Sequence, residues 1–132
     1  IDTPPEYMFI KKNGYNESAD ALIRVSGASM EPQYHNGDLV YVKYTQSVED
    51  GDIVICSTAD GAVIKQMLNH KLYSLNKALP YGEKSEDDYV TIVGKVLGMV
   101  SPLELPADDD IPLLEEVKAQ EVREFKKKYG LL

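Results

Sequence analysis

NGDLVYVKYTQSVEDGDIVICSTADGAVIKQM, from Asn36 to Met67, holds three short apolar runs cut apart by Gly-Asp punctuation. The runs Leu39 to Val42, Ile53 to Cys56 and Ala62 to Met67 are rich in β-branched residues, and each is too short for a typical helix. Asn36-Gly37-Asp38, Asp50-Gly51-Asp52 and Asp60-Gly61 lie beside them. Gly and Asn tolerate the positive φ that tight turns demand, so strands joined by turns are the expectation. The rhythm continues on both sides, through Leu22 to Val25 upstream and through Leu72 to Leu75 and Tyr89 to Val100 downstream. Several short strands at this spacing predict a mainly β fold, a small curved β-sandwich or barrel.

The flanks read differently. Pro4-Pro5 and the following Glu6 to Lys12 form an extended lead-in, because proline and the residue before it avoid helix, and Asn13-Gly14 then marks a turn. Leu79 to Asp88 is a charged polar loop that carries no motif. After Val100, Pro102, Pro106 and Asp108-Asp109-Asp110 make a linker, and Pro112 to Tyr129 reads as a helix. Leu114, Val117, Val122, Phe125 and Tyr129 fall in a broad arc on one helical face. Acidic residues near its start and Lys126-Lys127-Lys128 near its end oppose the helix dipole favourably, and Gly130 can stop it. Its apolar face is expected to pack on its own domain or on a dimer mate, with a partner-binding tail as the alternative. The chain thus divides into a lead-in or linker remnant (1–20), a central domain (21–101), and a linker with a C-terminal amphipathic helix (102–132).

Composition narrows the function classes. A chain of 132 residues builds one hydrophobic core. With 14 basic and 22 acidic residues the formal charge is −8, and no run of five basic residues offsets it, so direct DNA or RNA binding by this chain is not expected. No stretch of 18 apolar residues exists to cross a bilayer, and the N-terminus lacks the basic start and apolar core of a secretory signal. The single cysteine, Cys56, cannot make an internal disulfide; its apolar run suits a buried small hydrophobe in a reducing compartment. His35 and His70 show no ligand-like spacing with each other or with Cys56, so neither metal nor cofactor is expected.

Chemistry concentrates in Val25-Ser26-Gly27-Ala28-Ser29-Met30-Glu31-Pro32, where small residues and a serine follow a strand and precede a proline. Such a segment lets a hydroxyl stand clear of the backbone. Lys65 comes 36 residues after Ser29, and strand alternation puts it on the same face as Val63 and Met67. Desolvation disfavours an ammonium, so a buried lysine falls below its ordinary pKa of about 10.4 and becomes a usable base near neutral pH. A neutral amine within reach of Ser29 would take its proton, as histidine does in the familiar triad. Backbone amides at Ser29 and Met30 would then face the oxyanion, and Gly27 would let substrate backbone approach closely. Each residue also has a plainer reading. A serine in a Ser-Gly-Ala-Ser turn is usually a turn serine, and a lone strand lysine usually reaches out to water.

Four blocks taken together carry a family resemblance. Ser26-Gly27-Ala28-Ser29-Met30-Glu31-Pro32, Asn36-Gly37-Asp38-Leu39-Val40, Glu49-Asp50-Gly51-Asp52-Ile53-Val54 and Val63-Ile64-Lys65-Gln66, in that order and spacing, resemble the peptidase domain of LexA, UmuD and phage CI-type repressors. The resemblance covers about Leu22 to Val100. It implies a mainly β fold of the LexA C-terminal type, a Ser–Lys dyad with Ser29 as nucleophile and Lys65 as base, cytoplasmic location and homodimerisation through residues 21–101. It further implies a transcriptional repressor inactivated by self-cleavage, stimulated by an activated RecA filament during DNA damage. A UmuD-like polymerase accessory subunit and a signal peptidase-like enzyme are the alternatives. Nothing in Ile1 to Asp20 has the length or period of a helix-turn-helix, and no Ala-Gly or Cys-Gly pair occurs, so DNA binding and the scissile bond are expected upstream of Ile1.

Overall fold

The computed structural model describes residues 6–59, 61–82 and 90–132, so the Pro4-Pro5 start, Asp60 and positions 83–89 of the polar loop lie outside the described residues. The chain separates into two compact units, one spanning residues 13–100 and one joining residues 6–12 to 101–132.

The first unit is one antiparallel sheet. Its strands are β1 (Ala21–Arg24), β2 (Leu39–Tyr44), β3 (Ile53–Thr58), β4 (Gly61–Leu68), β5 (Lys71–Tyr73) and β6 (Thr91–Met99), ordered β1-β2-β6-β3-β4-β5. The mainly β expectation holds, and the six strands fall on the six apolar runs. Consecutive strands β2 and β3 do not pair; β6, last in the chain, inserts between them and bonds to both. Register irregularities at Tyr41/Val42 in β2 and at Ile55/Cys56 in β3 mark bulges, which add local bend and twist.

β3 explains why its sequence is continuously apolar instead of alternating. Ile53 and Ile55 enter one core cluster with Val25, Met30, Tyr34, Val40, Val42 and Ile64, while Val54 and Cys56 enter another with Met67. Both faces of this strand are covered from Ile53 to Cys56, so those four positions are all apolar, while Ser57 and Thr58 emerge from the core. Cys56 is a free thiol with no exposed surface, and burial pushes its pKa up, as befits a small hydrophobe.

In the second unit Ser101 caps a 3-10 turn over Pro102–Glu104, its hydroxyl accepting from Leu103 N while Glu104 accepts from Ser101 N at 2.7 Å. A second turn, Asp108–Asp110, leads into α1 (Ile111–Lys128), within one residue of the expected helix at each end. The lead-in belongs here: Lys11 N donates to Glu104 O at 2.7 Å, Tyr7 Oη donates to Glu115, and Lys118 Nζ stands 3.9 Å over the Tyr7 ring. No residue of α1 is buried, and Phe125 and Tyr129 of its apolar face stand 58% and 60% exposed.

Candidate active site

Ser29 sits on a turn that its neighbours build from both sides. After β1 ends, Val25 N donates to Asp38 O at 2.7 Å and Gly37 N donates to Val25 O at 2.8 Å, closing residues 25–38 into a loop. Gly27 then takes φ +83°, in the left-handed region that a side chain disfavours, and its N–H donates to Asn36 Oδ1 at 2.8 Å. A Cβ on Gly27 would meet nothing within 4 Å, so the glycine answers to backbone conformation while leaving open space beside it. Glu31 N donates to Ala28 O at 3.2 Å and Tyr34 N to Met30 O at 3.0 Å. Met30 has no exposed surface and belongs to the first core cluster, so its side chain anchors the turn that carries Ser29.

Lys65 reaches the serine from β4. Pairing with Val54 of β3 fixes its register, and its Nζ donates to Ser29 Oγ at 2.9 Å. The side chain is 6% exposed, and desolvation holds its pKa below the ordinary lysine value. The plainer reading, a lysine extending to water, therefore does not describe this residue. Among the described residues no acceptor takes the N–H of Ser29, so it remains available to a developing oxyanion, whereas Met30 has no exposed surface through which its N–H could meet one.

Two contributors come from a segment with no recognisable motif. Asn76 donates from its backbone N to Ser29 O at 2.9 Å and from Nδ2 to Ala28 O at 3.0 Å. Tyr81 presents its ring 5.0 Å from Lys65 Nζ. The loop from Leu79 onward, read as empty of motif, thus supplies a wall of the lysine's surroundings. Nothing in the local sequence marks either residue, because their roles depend on contacts outside their own segment, 48 positions away for the Asn76 amide and with Lys65 of β4 for Tyr81. Both also line a cavity of about 790 Å³ whose apolar wall includes Met67, Leu72 and Ile92. Neither Ser29 nor Lys65 lines it; it lies beside the pair and touches it through Asn76 and Tyr81.

Among the described residues no group of three or more His, Cys, Asp or Glu side chains comes together as a metal site. His35 instead lies 3.2 Å from Glu31 on the surface. No helix of the described residues is long and apolar enough to cross a membrane.

A family profile described as Peptidase S24-like matches residues 1–97, which is most of the chain and includes the whole Ser29–Lys65 geometry. The chain belongs to the Peptidase S24-like family. Its similar proteins include the LexA repressor of Desulfitobacterium hafniense (strain DSM 10664 / DCB-2), 33% identical over 86 residues, covering 64% of this chain and 42% of that protein. The LexA repressor of Carboxydothermus hydrogenoformans is 29% identical over 105 residues, covering 76% and 52%. That of Geotalea uraniireducens is 35% identical over 89 residues, covering 63% and 44%. The S24-like chain therefore spans about half the length of these relatives. Together with the antiparallel sheet, the matches identify a peptidase domain of the LexA C-terminal type.

Proposed function

We propose that this S24-like domain is the catalytic and dimerisation part of a LexA-like transcriptional repressor, and that it cleaves its own polypeptide through a Ser29–Lys65 dyad. The observation that carries the reading is the 2.9 Å hydrogen bond between Lys65 Nζ and Ser29 Oγ, made by a lysine that burial has stripped of water. Lys65 in its neutral form takes the Oγ proton as Ser29 attacks a peptide carbonyl. The tetrahedral oxyanion lies against the free N–H of Ser29. Collapse breaks the C–N bond, Lys65 returns its proton to the leaving amine, and a water activated by the same amine hydrolyses the acyl-serine. No third carboxylate is needed to orient a lysine, whose compact amine has no tautomer to fix.

In the whole protein, cleavage would separate this domain from an N-terminal helix-turn-helix, lowering operator affinity, with an activated RecA filament as the stimulus. Operator binding is assigned to that other domain because this chain carries a net charge of −8.

The test uses the full-length protein. Ser29→Ala and Lys65→Ala should each abolish cleavage, seen by gel and intact mass, while circular dichroism stays that of the wild type. The wild-type rate should climb as pH rises through the lowered pKa of Lys65 and should ignore chelators. Wild-type cleavage by either variant, or a rate that falls between pH 7 and pH 9 in folded protein, would overturn the dyad.

A further inference from the structure

Resting on the dyad reading, we infer that Asn76 is a positioning residue for the nucleophile: its side-chain amide holds the Ala28–Ser29 peptide plane so that the Ser29 N–H, the oxyanion donor, is aimed and unpaired, while its backbone N–H holds the plane that follows. Ala28 O accepts from Asn76 Nδ2 at 3.0 Å, and Ser29 O accepts from Asn76 N at 2.9 Å. A trans peptide is planar, with its N–H opposite its C=O. Fixing Ala28 O therefore fixes the direction of Ser29 N–H, and fixing Ser29 O fixes that of Met30 N–H. The Ser29 N–H therefore points away from the Asn76 amide, and no acceptor among the described residues takes it. One residue thus clamps two successive peptides.

The clamp is itself held. Asn76 Oδ1 accepts from Ala78 N at 3.0 Å and Asn76 O accepts from Leu79 N at 3.0 Å, a local turn that settles which end of the amide faces Ala28. The geometry requires a donor at this reach together with an acceptor toward Ala78. Asparagine supplies both on one short side chain, whereas aspartate would set a carboxylate against the Ala28 carbonyl. Ala28 O also accepts from Glu31 N within the turn, so losing the amide would loosen the Ser29 peptide without dismantling it. Asn76 touches no reacting atom. It acts through the orientation of Ser29.

A fluorophosphonate probe reads this directly. Ser29 Oγ forms a bond to phosphorus, fluoride leaves, Lys65 takes the proton, and the phosphoryl oxygen develops charge where the oxyanion would lie. Labelling of the full 132-residue chain is followed by intact mass against pH, for wild type, Ser29→Ala, Asn76→Ala and Asn76→Leu. Wild type should label at Ser29 with a rate that rises through the Lys65 titration. Both Asn76 variants should label about tenfold more slowly at every pH, with the same pH midpoint and with wild-type circular dichroism. A merely structural role would instead admit water to Lys65 and move the midpoint up toward the ordinary lysine value. Variant rates within twofold of wild type, or slower labelling with a raised midpoint, would overturn the positioning role and leave the dyad standing. Absence of Ser29-dependent labelling in the wild type would overturn the dyad and this inference with it.

Discussion

A lysine 6% exposed on a strand is destabilising as an ammonium, and Lys65 shows what the site costs the fold. Burial lowers its folded-state pKa below the value of about 10.4 expected in the unfolded chain. Between those two values the unfolded chain holds a proton that the folded chain lacks, so stability rises with pH there. The penalty is full below the folded pKa and gone above the unfolded one. Lys65→Met, which keeps the volume and removes the charge, should therefore raise Tm by about 3 °C at pH 6, with the gain shrinking toward pH 10. Thermal melts across that range test it, and an unchanged or lower Tm at pH 6 would contradict the desolvation argument. Gly27 is the second residue whose setting constrains what can replace it. With φ at +83°, Gly27→Ala should cost about 1 kcal/mol in urea unfolding and slow cleavage, although a Cβ there meets no atom.

Among the elements, β6 decides how closely the strands approach. Gly94 lies opposite Tyr44 of β2 on one side and Ile55 of β3 on the other. A Cβ there would stand 2.4 Å from the Lys43 carbonyl oxygen and 2.9 Å from a Val42 methyl. The nearer atom is backbone within a paired strand and cannot swing aside. Gly94→Ala should therefore destabilise by about 2–3 kcal/mol in urea titration, more than a β-propensity scale allows for replacing glycine in a strand. A midpoint equal to wild type would mean that β2 and β6 adjust freely. β3 shows the opposite use of space, a strand filled on both faces. By contrast, no residue of α1 is buried within this chain.

For the whole molecule, charge and family point to different properties. The isolated chain should be a homodimer at micromolar concentration by light scattering, on the strength of the LexA-type domain, and a monomer would count against that. It should bind duplex DNA no better than another acidic protein, because a charge of −8 repels phosphate. Salt-sensitive submicromolar binding would show a basic surface that composition conceals.

Local chemistry determined much of this protein from sequence alone. β-branched runs and Gly-Asp turns placed six strands, the proline and charge pattern placed α1, and four short blocks, through their resemblance to LexA-type repressors, pointed to Ser29 and Lys65. These are properties of a few neighbouring residues, so they survive without knowledge of the fold. Tertiary structure decided the rest. The insertion of β6 between β2 and β3 follows from pairing distant segments, which no local pattern encodes. That Lys65 is dehydrated and 2.9 Å from Ser29 depends on β4 lying against the turn after β1. Asn76 and Tyr81 looked like ordinary loop residues because their importance comes from what the fold sets opposite them. A hydrogen bond or a burial penalty is a property of pairs and surroundings, and those exist only once the sheet has closed around them.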